Sequence, residues 1–231
     1  MKKINYQTTE LRYERKFTVA NSNKGTVLAH IKKHPAFFRE IYHPRQITNI
    51  YLDTTQFQFY KDNEIGIANR KKVRIRWYGT IFGQVQNPKL EYKLKVGLAG
   101  NKKIYDLPNF QVEKGFNKKI LEVLFDQANL PDEVRNELRQ LRPTLLNTYQ
   151  RSYYQSADKQ FRLTLDDDLT YYQINFGNNQ FLRQAKEHLG LVVELKYDPA
   201  EEKLASRVAT ELPYRLDKKS KYVSGIEFFK I

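Results

Sequence analysis

The chain of 231 residues contains no cysteine, which excludes a disulfide framework and a thiolate metal site. It also has no apolar run long enough to span a bilayer, so no transmembrane segment is expected. The first six residues lack the apolar core of a signal peptide. With no targeting segment recognised, and with no cysteines to indicate a redox compartment, we expect a cytoplasmic protein.

Glycine and proline are also scarce, with 10 and 8 residues scattered along the chain. No Gly/Ser linker, low-complexity tract or internal repeat divides the sequence. Since 40% of the residues are hydrophobic, the chain can bury a sizeable core. We therefore expect one domain over residues 1–231.

Acidic residues are outnumbered, with 26 Asp and Glu against 40 Lys and Arg, which gives a net charge of +14. Such an excess indicates an anionic partner: nucleic acid, an anionic membrane surface or phosphate-rich small molecules. The alternative is that the charge only keeps the protein soluble. The basic residues lie inside strand patterns and not in tails, which favours a partner.

Two segments, residues 72–78 and 90–96, alternate apolar and charged residues with the period of a β-strand. If they pair as a hairpin, one face carries many cations and a single carboxylate, Glu91. Like charges repel across strands, so this face is either solvated or filled by a polyanion. On the other face Trp77 is predicted to lie in the core.

Further segments share this alternation, and helical patterns separate them. Strands are predicted at residues 11–19, 46–53, 101–107, 145–154, 160–167, 191–197 and 225–231. Helices are predicted at residues 22–34, 117–129, 131–141, 180–188 and 199–212, the first capped by Ser22 and the second with Val123 inside. The pattern predicts an α+β fold of antiparallel strands. If the sheet closes into a barrel, the charged faces line its lumen, where unpaired cations are costly unless an anion binds.

The acidic residues are open to two interpretations. Glu14 and Glu194 are either metal ligands or ion-pair partners of lysines on adjacent strands. The aspartates at positions 166–168 suggest a metal cluster, but we favour a solvated turn after the strand. No nucleophile–base pair and no Gly-rich phosphate loop is present, so neither covalent catalysis nor a P-loop is indicated.

Seven segments occur in an order that resembles a known family. They are Glu14-Arg15-Lys16-Phe17, Arg74-Ile75-Arg76, Glu91-Tyr92-Lys93, residues 149–154 (YQRSYY), residues 162–166 (RLTLD), residues 193–197 (VELKY) and residues 218–222 (KKSKY). Together they resemble the VTC domain, the catalytic domain of the vacuolar transporter chaperone complex. That domain belongs to the triphosphate tunnel metalloenzymes, relatives of the CYTH phosphatases and cyclases.

The resemblance implies an antiparallel β-barrel tunnel with flanking helices and a polyphosphate polymerase activity. Such an enzyme transfers the γ-phosphoryl group of ATP to a growing polyphosphate chain with Mn²⁺ or Mg²⁺. It implies catalytic roles for Arg74, Arg76, Lys93 and Lys221. It implies phosphate binding by these four and by Lys16, Arg151, Arg162, Lys196 and Lys218, and metal binding by Glu194 and Glu14.

Two departures from the family pattern stand out. Lys219 occupies a place where an aromatic residue often precedes the serine, and the first strand has a single Glu-x-Lys, which favours the VTC branch over CYTH. The expected partners are ATP and inorganic polyphosphate or triphosphate.

Two alternatives stay open: an inorganic triphosphatase or nucleotide phosphohydrolase, and a non-catalytic binder of polyphosphate or nucleic acid. No specific nucleic acid is expected, since aromatics mostly occupy the strand faces opposite the charges. If unpaired cations crowd a tunnel, replacing Arg74 and Arg76 by Ala should abolish phosphate-dependent activity without lowering thermal stability.

Overall fold

The computed structural model describes residues 7–8, 12–19, 22–96, 99–187, 190–217 and 220–229. Its strands β1 to β13 are, in chain order, Gln7–Thr8, Tyr13–Val19, Arg39–Asp53, Asn69–Tyr78, Gly83–Val85, Lys89–Val96, Ala99–Asp106, Phe110–Val112, Arg142–Gln155, Arg162–Gln173, Gln184–Lys186, Leu191–Tyr197 and Arg215–Asp217. Its helices α1 to α6 are Lys24–Lys33, Gln58–Ile65, Lys118–Gln127, Asp132–Gln140, Glu202–Thr210 and Lys221–Phe229, and a 3-10 turn, Pro199–Glu201, precedes α5.

One large antiparallel sheet forms the body of the fold. Its strand order is β1-β7-β6-β4-β3-β9-β10-β12-β2-β13, with β11 added to β10, while β5 and β8 pair separately. Strands β6 and β2 are far apart in this order, yet Nζ of Lys93 on β6 lies 3.2 Å from Oε2 of Glu14 on β2. The sheet therefore curls until its two halves face each other. The predicted α+β fold is confirmed, and the predicted antiparallel barrel is confirmed as a barrel-like tunnel; the end strands β1 and β13 are not paired with each other in the described part of the chain.

The convex side of the sheet is covered by two apolar clusters, which the strand alternation produces by placing apolar residues outward. Helices α3 and α4 cover β4 and β6, where Trp77 is buried as predicted. Helices α1 and α5 cover β2, β10 and β12, with Phe17 and Val193 among the fully buried side chains. Burial of these apolar faces leaves the charged faces on the concave side.

Several predicted elements differ from the structure. Asn23, not Ser22, caps α1, since its Oδ1 accepts the N–H of Thr26. Val123, predicted inside α3, is exposed, because the buried stripe of that helix runs through Leu121 and Leu124. The helix predicted at residues 180–188 is wrong: Gln184–Lys186 pairs with β10 as β11.

The final strand predicted at residues 225–231 is also wrong, because α6 occupies its described part. A short apolar run fits a strand and a buried helix equally well, so periodicity alone could not separate them. Helix α6 packs against the concave side of the sheet, where Tyr222, Ile226 and Phe229 join the buried cluster that contains Tyr51 and Leu145.

The close approach of α6 depends on a glycine. A Cβ on Gly225 would lie 2.7 Å from Cδ1 of Tyr171 and would also collide with the Leu145 side chain. Only glycine lets the helix axis lie this near the sheet. No helix in the described ranges has the length and apolar character to cross a membrane. One domain over residues 1–231 stays a prediction.

Candidate functional site

The concave side of the sheet gathers cations around a smaller number of carboxylates. Alternation along the strands places these residues on one face, and α6 adds Lys221 from above the sheet. The cations are Lys16, Lys72, Arg74, Arg76, Lys93, Lys102, Arg151, Lys196 and Lys221, and the carboxylates are Glu14, Glu91, Asp166 and Glu194. The solvated outer face considered for the central hairpin is therefore wrong.

Glu91 is the centre of a first group. Its side chain is 1% exposed, and its carboxylate lies 2.7 Å from Nη2 of Arg74, 2.8 Å from Nη2 of Arg76 and 2.6 Å from Nζ of Lys102. Burial acts to raise the pKa of Glu91, but the three cations outweigh it and hold that pKa well below its ordinary value. Burial, assisted by the two arginines, lowers the pKa of Lys102 to about 8.

Asp166 is the centre of a second group. Nε and Nη2 of Arg151 bind its two oxygens at 2.5 and 2.6 Å, and Nζ of Lys221 lies 2.6 Å from Oδ2. Burial acts to raise the pKa of Asp166, but Arg151 and Lys221 lower it overall. The solvated turn predicted at residues 166–168 is wrong for Asp166, which is fully buried. The alternation of Asp166 with Arg162 and Thr164 is the sequence signal that assigns it to this face.

Glu14 and Glu194 form a third group, joined by a shared lysine. Nζ of Lys16 lies 3.0 Å from Oε1 of Glu14 and 3.6 Å from Oε1 of Glu194. Glu194 also lies 3.4 Å from Arg151 and 3.4 Å from Lys196. Burial acts to raise the pKa of Glu194, but the surrounding cations hold it well below its ordinary value. The ion-pair interpretation of both glutamates thus describes this structure, whose described residues contain no cluster of three acidic or histidine metal ligands.

The donor set nevertheless suits one kind of metal site. Mg²⁺ commonly binds through one or two carboxylates together with waters and the phosphates of a substrate. Glu14 and Glu194 supply two carboxylates that already converge on one cation, the Lys16 ammonium. A hard divalent ion brought in with a phosphate ligand therefore fits these residues.

The family model of the VTC domain matches residues 11–230 of the chain. The chain belongs to the VTC domain family. None of the curated proteins matches it. This VTC domain also shares its fold with solved structures, among them two putative cyclases.

A putative adenylate cyclase from Bacillus halodurans has 15% sequence identity and a TM-score of 0.53, with 95% of this chain and 97% of that chain covered. A putative adenylyl cyclase from Hippeastrum with a dominant triphosphatase activity has 14% identity and a TM-score of 0.50, with 94% and 96% covered. At this level of identity the similarity extends to the fold, and it agrees with the tunnel predicted from the sequence.

Among the described residues, the predicted phosphate ligand Arg162 makes no ion pair with this cluster of the VTC domain. Arg162 is exposed at the rim, where its backbone pairs with Lys196 and Gln155. Lys218 lies outside the described residues. The other predicted site residues come together on the concave face, and Glu91, Asp166, Lys72 and Lys102 join them without having been assigned to the site from the sequence.

Lys72 reaches the same space from β4, next to the start of α6. Its Nζ donates to Oγ of Ser220 at 2.7 Å. Burial lowers the pKa of Lys72 well below its ordinary value, and the nearby cations Lys16 and Lys93 lower it further. A polyanion bound beside these lysines would favour their charged forms.

The first turn of α6 is anchored beside the VTC tunnel by Tyr222. Its hydroxyl donates to Oδ2 of Asp53 at 2.6 Å, and its ring stacks on Tyr51 with centroids 4.8 Å apart. Asp53 also accepts the backbone N–H groups of Phe59 and Tyr60 in α2. This arrangement holds α6 in place directly beside Lys221.

Proposed function

We propose that this VTC domain is a metal-dependent phosphotransferase that moves the γ-phosphoryl group of ATP onto a growing polyphosphate chain. The observation that carries the proposal is the excess of cations on the concave face, where each of the four carboxylates described above is already paired with cations. A surplus of partly buried positive charge is unfavourable without an anion, so the face suits a ligand with many negative oxygens. Two unit charges about 4 Å apart attract by roughly 4 kcal/mol at an effective dielectric near 20.

The cations act by position and charge. Arg74, Arg76, Lys93 and Lys221 stabilise the charge that develops on the transferring phosphoryl group, because phosphoryl transfer depends mostly on positioning and electrostatics. The remaining phosphate ligands hold the rest of the chain; they are Lys16, Arg151, Arg162, Lys196 and Lys218. Arg151 already donates to Asp166 through Nε and Nη2, so a phosphate would bind its other N–H groups or displace that carboxylate.

Glu194 and Glu14 would hold the divalent metal, Mn²⁺ or Mg²⁺. Held there together with a substrate, the metal would supply neutralisation of phosphate charge. Lys16 keeps the two carboxylates ionised, since it contributes to the low pKa of each. Both glutamates are thus ready to accept a cation near neutral pH.

A second candidate is a triphosphatase that transfers the phosphoryl group to water. The triphosphatase activity of the Hippeastrum structure with the same fold favours this alternative. The two reactions share the donor and the cationic face, and they differ in the acceptor.

The deciding experiment is incubation of the purified chain with ATP and Mn²⁺. Production of ADP together with a ladder of polyphosphate on a gel supports the polymerase. Orthophosphate without a ladder supports the triphosphatase, and binding of polyphosphate without turnover indicates a non-catalytic binder.

Replacement of Glu194 by Gln tests the metal role. We expect the variant to lose metal-dependent turnover and to retain polyphosphate binding, because an amide is a poor ligand for a hard cation and the cations around it stay in place. Glu202→Gln is the matched control on the convex side, where Glu202 contacts Arg15 and Tyr197. Turnover by Glu194→Gln at the wild-type rate contradicts the metal assignment.

A further inference from the structure

A cluster of tyrosines surrounds one arginine at the mouth of the tunnel; we call it the tyrosine platform, and it consists of Tyr42, Arg45, Tyr78 and Tyr153. Cζ of Arg45 lies 5.0 Å from the ring centroid of Tyr42, 5.5 Å from that of Tyr78 and 5.8 Å from that of Tyr153. The rings of Tyr42 and Tyr153 meet edge to face with centroids 5.8 Å apart. Three rings thus fix one guanidinium in place.

The platform is open to solvent. Tyr42 is 53% exposed and Tyr78 is 48% exposed, and Arg45 is exposed between them. Within the described ranges, Arg45 has no carboxylate partner. Aromatic rings and a guanidinium that are held together yet exposed to solvent suit a planar, polar ligand better than they suit a packing role.

The platform is continuous with the phosphate-binding face. Tyr78 follows Arg76 by two residues on β4, which places the two side chains on the same face roughly 7 Å apart. Cζ of Arg76 lies 5.7 Å from the Tyr78 ring centroid, while its Nη2 contacts Glu91 inside the tunnel. On the adjacent strands, Arg45 is the direct cross-strand partner of Arg151.

A ligand whose phosphates contact Arg76 and Arg151 therefore has its other end beside the platform. We propose that the tyrosine platform binds the nucleobase of a nucleoside triphosphate and lets the tunnel distinguish nucleotides from inorganic triphosphate. Tyrosine rings stack on any base, and Arg45 adds a planar cation that stacks or donates hydrogen bonds to base and ribose. This inference rests on the proposed function, because it assumes that the phosphates bind in the tunnel.

The competing role for the platform is an extra phosphate subsite, in which Arg45 binds the next phosphate of a polyphosphate chain. The two roles differ in what they predict for the rings. A base needs the aromatic faces of Tyr42 and Tyr78, whereas a phosphate needs the charge of Arg45.

The test compares ATP with inorganic triphosphate by calorimetry on the whole chain. We expect Tyr78→Ala and, separately, Tyr42→Ala to weaken ATP binding about tenfold or more while triphosphate binding stays unchanged. Tyr78→Phe is the conservative control, since it keeps the ring and should keep the ATP affinity. Arg45→Gln should also weaken ATP alone.

The proposal is overturned if the tyrosine variants lose affinity for ATP and triphosphate equally. It is also overturned if their affinity for ATP is unchanged. A loss of triphosphate affinity in Arg45→Gln assigns the platform to phosphate and also overturns it. If wild type binds neither ligand, the proposed function itself fails, an outcome distinct from a failure of the platform alone. Melting curves of the variants without ligand check that they fold. Because Tyr42 and Tyr78 are both exposed, we expect at least one of the two Ala variants to fold.

Discussion

Replacing Arg74 and Arg76 together by Ala tests how the tunnel is stabilised before any ligand binds. Both guanidinium groups contact Glu91, whose carboxylate is 1% exposed, and their removal leaves Lys102 as its remaining ion-pair partner among the described residues. Removing a partner from a buried ion pair costs about 3–5 kcal/mol. The arginine side chains are 23% and 18% exposed, so we expect the lower end, about 3 kcal/mol.

That loss lowers the melting temperature by roughly 6–12 °C in a chain of this size. The ion pairs with Glu91 therefore predict a loss of stability in this variant, whereas the sequence, interpreted as a crowd of unpaired cations, predicted none. Activity should still disappear, and the stabilisation of the protein by added triphosphate should shrink, since it depends on the ratio of ligand concentration to Kd.

Melting curves of wild type and variant, each with and without triphosphate, measure both effects. The matched control adds Glu91→Met to Arg74→Met and Arg76→Met, so that the buried carboxylate leaves together with its two arginine partners, while Lys102 stays and is 25% exposed. Apolar replacement of buried ion pairs is often neutral or stabilising, so the triple variant should recover much of the loss. An unchanged melting temperature in the Ala double variant, or a triple variant no more stable than the double, refutes the reasoning.

Two further predictions concern protonation and α6. Because the pKa of Lys102 is lowered to about 8, it is charged below that pH and neutral above it, so triphosphate affinity should fall as pH rises through about 8. Calorimetry across this pH range should show that triphosphate affinity depends less on pH in Lys102→Met than in wild type. If the affinity of both falls equally with pH, Lys102 is not the titrating group. Tyr222→Phe should reduce turnover severalfold with little loss of stability, because Asp53 keeps its backbone donors while Lys221 loses a nearby anchor. Tyr197→Phe is the control, because Tyr197 also donates to a carboxylate. If Tyr222→Phe lowers turnover by the same factor in a Lys221→Met background, Tyr222 does not act by positioning Lys221.

Local periodicity predicted the parts of the site that lie within single strands. The alternation of Arg74 and Arg76 with Ile75 and Trp77 placed the arginines on one face and the tryptophan in the core, and Trp77 is buried as expected. A period of two is a strong signal wherever one face of a strand packs under helices. The charged faces of the other strands followed from the same rule.

Contacts between strands that are distant in sequence could not be predicted from periodicity. The pairing of Glu91 with Lys102 depends on the register of β6 and β7, and the contact of Lys93 with Glu14 depends on curling of the whole sheet. Residues 225–231 were predicted as a strand because their apolar run is short, so the helix that places Lys221 over Asp166 could not be derived. Sequence patterns thus predicted which cations share a face, and the structure shows how the carboxylates pair with them.

The position of β2 in the sheet has a consequence for the synthesis of the protein. In the described sheet β2 pairs with β12 and β13, and the contact of Arg15 with Tyr197 spans 182 residues of chain. A ribosome adding about 5–20 residues per second needs roughly 10–40 s to reach that partner. During this time β2 has neither neighbouring strand, so its backbone hydrogen-bonding groups lack partners, and of the two helices that cover Phe17 and Val19 only α1 has been made. The edges of β2 are therefore exposed in the nascent chain, and the tunnel closes only after β12 and β13 have been made.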